Sequence, residues 1–122
     1  MSDIGYWAFR KKNGRSLAGV NPDSDEVALT VSDALVAVNL LEKEKMPILG
    51  ADVLLEYEEG LKYLYQILGD EYIYLNWYCD ELDNENEEEY IQRSHNIAKE
   101  YINSIAKIEK EYNIQCYVVL VL

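Results

Sequence analysis

The sequence predicts a single-domain α+β fold in which two main helices pack on a small antiparallel or mixed β-sheet. Two long segments, residues 31–45 and 86–112, repeat apolar residues at spacings of three and four, the pattern of a helix with one buried stripe. Short runs at residues 53–57 and 72–79 place side chains alternately on two faces, as strands do. Residues 114–122 are almost wholly apolar and β-prone, the composition of a strand covered on both faces. At 122 residues the chain suits one core and is too short for two, so one domain spans residues 1–122.

Each element has its own local reasons. Residues 4–9, with Tyr6, Trp7 and Phe9, read as a strand or a packing segment, followed by a polar stretch at 10–15 and the turn-forming Asn21, Pro22, Asp23, Ser24 and Asp25. Residues 14–19 lack the glycine spacing and the Lys-Ser/Thr end of a phosphate loop and read as a surface connection. The first main helix carries Val31, Ala34, Leu35, Val38 and Leu41 on one stripe. Thr30 or Ser32 caps it, Asp33 makes a weak capping box with Thr30, Lys43 and Lys45 suit its C-terminal end, and Pro47 bars continuation.

Residues 47–52 then lead to a strand with Val53, Leu55 and Tyr57 on one face, and Gly50 is expected to hold a backbone conformation that other residues resist. Glu58, Glu59 and Gly60 form a hairpin turn. Residues 61–66 read as the returning strand, while Leu61, Leu64, Tyr65 and Leu68 also fit a helix ending at Gly69, which stands as the alternative.

The strand over 72–79 puts Ile73, Leu75, Trp77 and Cys79 on a core face and Tyr72, Tyr74, Asn76 and Tyr78 on the other. Asn86 caps the long helix, with Glu87 and Glu88 in its first turn and Glu89 closing a capping box. Its buried stripe runs through Tyr90, Ser94, Ile97, Tyr101, Ile105, Ile108 and Tyr112, supported by Ile91, Ala98, Ile102 and Ala106, and Asn113 stops it in a left-handed conformation.

Composition excludes several function classes. The apolar fraction is 49%, with 6 Gly and 2 Pro, which is globular and not disordered. A formal net charge of −12 repels phosphate backbones and anionic membranes, so neither a nucleic acid nor a membrane is an expected partner, whereas a basic protein is. No basic-then-apolar leader or membrane-length apolar run is present, which points to the cytoplasm. Cys79 and Cys116 sit in apolar runs without the spacing of a zinc site or a disulfide framework, so two buried reduced thiols are expected, and no cofactor.

No catalytic residue is expected. His95 adjoins Ser94 in one helix, where neighbours point about 100° apart and cannot oppose each other, so His95 reads as a surface residue. Asp80, Glu81 and Asp83 lack the spacing and glycine of a calcium loop. The expected partner-binding residues are Tyr72, Tyr74, Asn76 and Tyr78, continued by Asp80, Glu81, Asp83 and Glu85. Tyrosines supply rigid contact area and rim acids steer encounter; the same tyrosines would instead be core if a helix covered them. Asp52, beside a glycine-containing turn, either caps backbone amides or faces the partner.

Over residues 26–122 the sequence resembles the immunity protein 40 family of bacterial polymorphic toxin systems. The resemblance is carried by Val27, Ala28, Leu29 and Thr30, by Asp33, Ala34 and Leu35, by residues 47–53 around Gly50 and Asp52, by Asn76, Trp77 and Tyr78, and by the closing Tyr117, Val118, Val119 and Leu120. Residues 1–25 form an N-terminal extension outside it. The resemblance implies a non-enzymatic cytoplasmic protein that binds a cognate toxin, and the acidic surface suits a basic catalytic domain. Two alternatives stand beside it: a small-molecule-binding or enzymatic domain using Asp52 and the tyrosine face, and an acidic nucleic-acid mimic.

Overall fold

The computed structural model describes residues 5–17 and 25–122. Its elements run α1 (Tyr6–Asn13), β1 (Arg15–Ser16), β2 (Val27–Thr30), α2 (Val31–Lys43), β3 (Gly50–Tyr57), β4 (Gly60–Tyr63), α3 (Leu64–Leu68), a 3-10 helix (Asp70–Leu75), β5 (Trp77–Tyr78), α4 (Glu87–Tyr112) and β6 (Cys116–Val121). The strands form a six-stranded antiparallel sheet in the order β1-β2-β6-β3-β4, with β5 also paired to β3. The last strand of the chain is therefore interior to the sheet, in keeping with its apolar composition, and the α+β prediction holds.

The predicted caps are present. Thr30 Oγ1 accepts the Asp33 amide at 3.2 Å at the start of α2. Asn86 and Glu89 exchange bonds of 2.8 and 3.0 Å at the start of α4, closing the capping box. Asn113 ends that helix with φ of 53°.

The helices lie on one side of the sheet. There Leu29, Ala51, Val53, Leu55, Trp77, Cys116, Val118 and Leu120 pack against Val31, Ala34, Ala37, Val38 and Leu41 of α2 and Ala98, Ile102, Ile105 and Ile108 of α4. On the opposite side a smaller cluster of Leu17, Ala28, Leu54, Leu61 and Val119, rimmed by Tyr63 and Tyr117, contains no helical residue.

Five expectations are corrected. Residues 6–13 are helical rather than a strand, and Tyr6 is buried in the main core with Phe9 packed against it. The 61–68 segment satisfies both readings in turn, as β4 and then α3. The strand expected over 72–79 shrinks to Trp77–Tyr78, preceded by the 3-10 helix. The cause is room on β3: from Leu54 onward that edge is taken by β4, leaving Gly50 and Ala51 as the pairs for β5. Ile73 is accordingly exposed, while Leu75, Trp77 and Cys79 are buried as expected. Gly50 has no left-handed φ; a Cβ there would overlap the Trp77 carbonyl oxygen, so glycine permits the approach of β5.

His95 is the fifth. It is 0% exposed, and its Nε2–H donates to the Met46 carbonyl at 2.6 Å. Beside it Ser94 Oγ accepts the buried Ile48 amide at 3.0 Å and donates to the Ile91 carbonyl at 2.9 Å. Both side chains tie the α2-to-β3 connection onto α4. The predicted turn at 21–25 falls, apart from Asp25, outside the described residues.

Candidate partner-binding surface

β5 and the loop after it are held in place from beneath. Trp77 stacks on Tyr101 of α4 with ring centroids 5.5 Å apart and planes 19° from parallel. Asn76 lies at the gap between β5 and β4, where its Oδ1 accepts the Val53 amide at 3.0 Å and so satisfies the edge of β3. The Cys79 amide donates to the Leu49 carbonyl at 2.8 Å, and the Tyr90 hydroxyl to the Cys79 carbonyl at 2.6 Å.

Arg93 then fixes the loop to α4. Its Nε and Nη2 donate to the two Glu85 oxygens at 2.6 and 2.8 Å, and Nη2 also reaches the Asp80 carbonyl at 2.6 Å. The Glu85 carboxylate also accepts the Leu82 amide at 3.1 Å. The Arg93 guanidinium lowers the Glu85 carboxyl from its ordinary 4.5 to about 2. A side chain expected to face a partner is thus spent on holding the loop's shape.

What this frame leaves outward is specific. Tyr78 is 84% exposed, Tyr74 54% and Leu82 52%, with Ile73 close behind them in sequence and Asp80, Glu81 and Asp83 exposed at their margin. Exposed aromatic and aliphatic side chains on a rigid backbone, rimmed by charge, have the character of an interface. Tyr72 does not join them: it is half-buried, edge-on to Tyr112, with the two hydroxyls 2.5 Å apart, a bond that raises the Tyr72 hydroxyl to about 12. Among the described residues no helix covers Tyr74 or Tyr78.

Asp52 is not a turn cap. It lies within β3, opposite Val119 of β6, on the helix-free face of the sheet. Pairing of Gly50 with Tyr78 puts Tyr78 on that same face, one position along from Asp52. Burial raises the Asp52 carboxyl, and the nearby charge of Glu26 raises it further. The Tyr63 hydroxyl is raised by burial and then by Asp52, Tyr65, Glu26 and Tyr78, which marks these groups as one neighbourhood. Sequence reading found Asp52 and Tyr78 without their proximity, and it missed Tyr63 and Glu26; the period-two faces of β3 and β4 would have placed Tyr63 had their register been known.

The remaining chemistry is internal. Cys79 and Cys116 are buried and form no disulfide, Cys79 Sγ accepts a hydrogen bond from Arg93 Nη1 at 3.3 Å, and burial pushes the Cys116 thiol up to about 12. Among the described residues no three His, Cys, Asp or Glu side chains come together to hold a metal ion, and no helix is long and apolar enough to cross a membrane. A model of the family described as immunity protein 40 matches residues 16–122. The chain belongs to the immunity protein 40 family. Neither curated proteins nor solved structures give a match. In this immunity protein the matched span opens at β1, so α1 precedes it while contributing Tyr6 to the same core.

Proposed function

We propose that this immunity protein neutralises a cognate toxin domain by direct, stoichiometric binding and performs no chemistry on it. Family membership supplies the role, and an immunity protein implies a toxin partner. The observation that supports binding as the means is the exposed set Tyr74, Tyr78 and Leu82 on a backbone already immobilised by Asn76, Trp77 and Arg93. A surface ordered before association loses little further freedom on binding. Asp80, Glu81 and Asp83 at the rim attract a basic catalytic domain, and Asp52 adjoins through Tyr78. Tyr72, Asn76 and Glu85 belong to the same region and act by shaping it. Ser94 and His95, the pair nearest to a nucleophile and base in sequence, are committed to backbone partners.

Titration of the cognate toxin domain with this protein tests the proposal. Residual activity is expected to fall linearly to a fixed molar ratio, with both chains recovered at unchanged mass. Inhibition at substoichiometric amounts, or recovery of a modified toxin, overturns it.

A further inference from the structure

The face of the sheet turned away from the described helices holds a carboxylate to which the described residues bring no counter-charge. Asp52 is half-buried, and among the described residues no hydrogen-bond donor or cation reaches its side chain. The same face carries Tyr63, opposite Leu54, and Tyr78, opposite Gly50, one same-face position to either side of Asp52, and the nearby charge of a second acid, Glu26, disfavours ionisation of Asp52. Arg15, the cation that β1 sends to this face, is bonded to Glu56 at 2.8 Å and lies over the Tyr117 ring at 5.5 Å. A desolvated carboxylate without a counter-charge is costly, and tyrosine faces attract cations. The chain as a whole carries −12, so the complementary partner is positive.

We infer that this sheet face, between Asp52 and the rings of Tyr63 and Tyr78, receives an arginine or lysine side chain that the toxin presents on binding. The inference rests on the reading that the protein binds a toxin, and it adds the chemistry of the central contact. Tyr78 joins the two parts of the surface, since it stands on the sheet face and also at the start of the acidic loop. A metal ion is a poorer occupant because no three metal-binding side chains converge among the described residues. A guanidinium or ammonium needs one carboxylate and one or two ring faces.

Two measurements test it. In the first, Asp52→Asn and Tyr78→Ala are compared with the unaltered protein for binding to the cognate toxin domain. Asp52→Asn is expected to weaken binding by at least roughly 30-fold, and Tyr78→Ala by roughly tenfold. Neither is expected to lower the melting temperature at neutral pH. The folded Asp52 carboxyl is raised, so its ionisation costs stability above its ordinary 3.8, and the amide removes that cost. In the second, the protein alone is titrated with N-acetyl-arginine amide and, as a neutral control, N-acetyl-norleucine amide, followed by NMR. Shifts centred on Asp52, Tyr63 and Tyr78 are expected with the arginine compound and not with the control, and they disappear in Asp52→Asn. Asp52→Asn binding within about threefold of the unaltered protein, or arginine-induced shifts elsewhere, overturns the inference while leaving stoichiometric inhibition intact. If the unaltered protein binds no toxin, the proposed function fails, and the arginine titration still decides whether the face is a cation site.

Discussion

Ala51, Val53 and Leu55 of β3 point beneath the helices, whereas Gly50, Asp52, Leu54 and Glu56 of the same strand point away from them. On the helix side the sheet meets α2 and α4 through an apolar layer whose polar members, Ser94 and His95, are given backbone partners. On the other side five apolar residues form a small cluster, and the polar positions around it include an acid lacking a described partner and the half-buried Tyr63 and Tyr117. Strand alternation makes this division possible, since each residue step changes the side. Core and outward surface can then be altered separately, even by neighbouring residues such as Trp77, buried, and Tyr78, exposed.

That separation is broken most severely at Trp77. It is 7% exposed and stacked on Tyr101, and it anchors β5 to the helix layer. Trp77→Ala is expected to cost about 3 to 5 kcal/mol in chemical denaturation. An unchanged midpoint would place the ring outside the core and invert the two sides. Ser94→Ala probes the same side more gently. It removes the acceptor of the buried Ile48 amide with little change of volume, and about 1 to 3 kcal/mol is expected from the stranded N–H. Hydrogen exchange of the Ile48 amide should accelerate with it, because the bond lost is its own.

The helix side was legible in the sequence for reasons that stay local. Spacings of three and four, Thr30, the Asn86 and Glu89 box and Asn113 each act within a turn or two of chain, so both main helices and their ends could be read. β6 was legible through composition. The opposite side depends on non-local pairing. Asp52 and Tyr78 share a face because Gly50 pairs with Tyr78, and residues 72–75 turn helical because β4 has taken their edge. No local propensity encodes either fact. His95 is an intermediate case: Ile91, His95, Ala98, Ile102 and Ile105 follow one another at spacings of four and three, so periodicity marks it as inward-facing although residue type suggests the surface. The helix at 6–13 has no capping side chain and lacked a start signal to read.

The Glu85 contact lies between the two regions, since it holds the acidic loop after β5 to a core helix. Its carboxyl is lowered from 4.5 to about 2 by Arg93, which stays charged throughout. A lowered acid stabilises the folded state above its ordinary value and loses that contribution as pH falls toward the folded value. Glu85→Gln should therefore lower the melting temperature at pH 7, and the difference from the unaltered protein should shrink between about pH 4.5 and 2. A difference that persists at pH 2 would assign the effect to packing instead of to the ion pair.

The smallest expected effect is on association at physiological salt, from reversing the exposed acids. Asp80, Glu81 and Asp83 project from a loop whose shape is fixed by Arg93 through Glu85 and the Asp80 carbonyl, so their side chains are free to act at a distance. Changing all three to lysine halves the formal net charge of −12 and leaves every described hydrogen bond of the loop in place. Surface changes of this kind alter stability by about 0.5 kcal/mol or less each. Rim charges act on encounter more than on the docked contact, and their field is screened within about 8 Å at physiological ionic strength. Association with a basic toxin domain should slow by roughly tenfold at low salt and by much less at physiological salt, with dissociation nearly unchanged. The salt dependence of the association rate should flatten accordingly. An association rate unaltered at every salt concentration would mean that the partner approaches from another side, whereas a faster dissociation would mean that these acids are buried in the contact and belong with Asp52 at its centre.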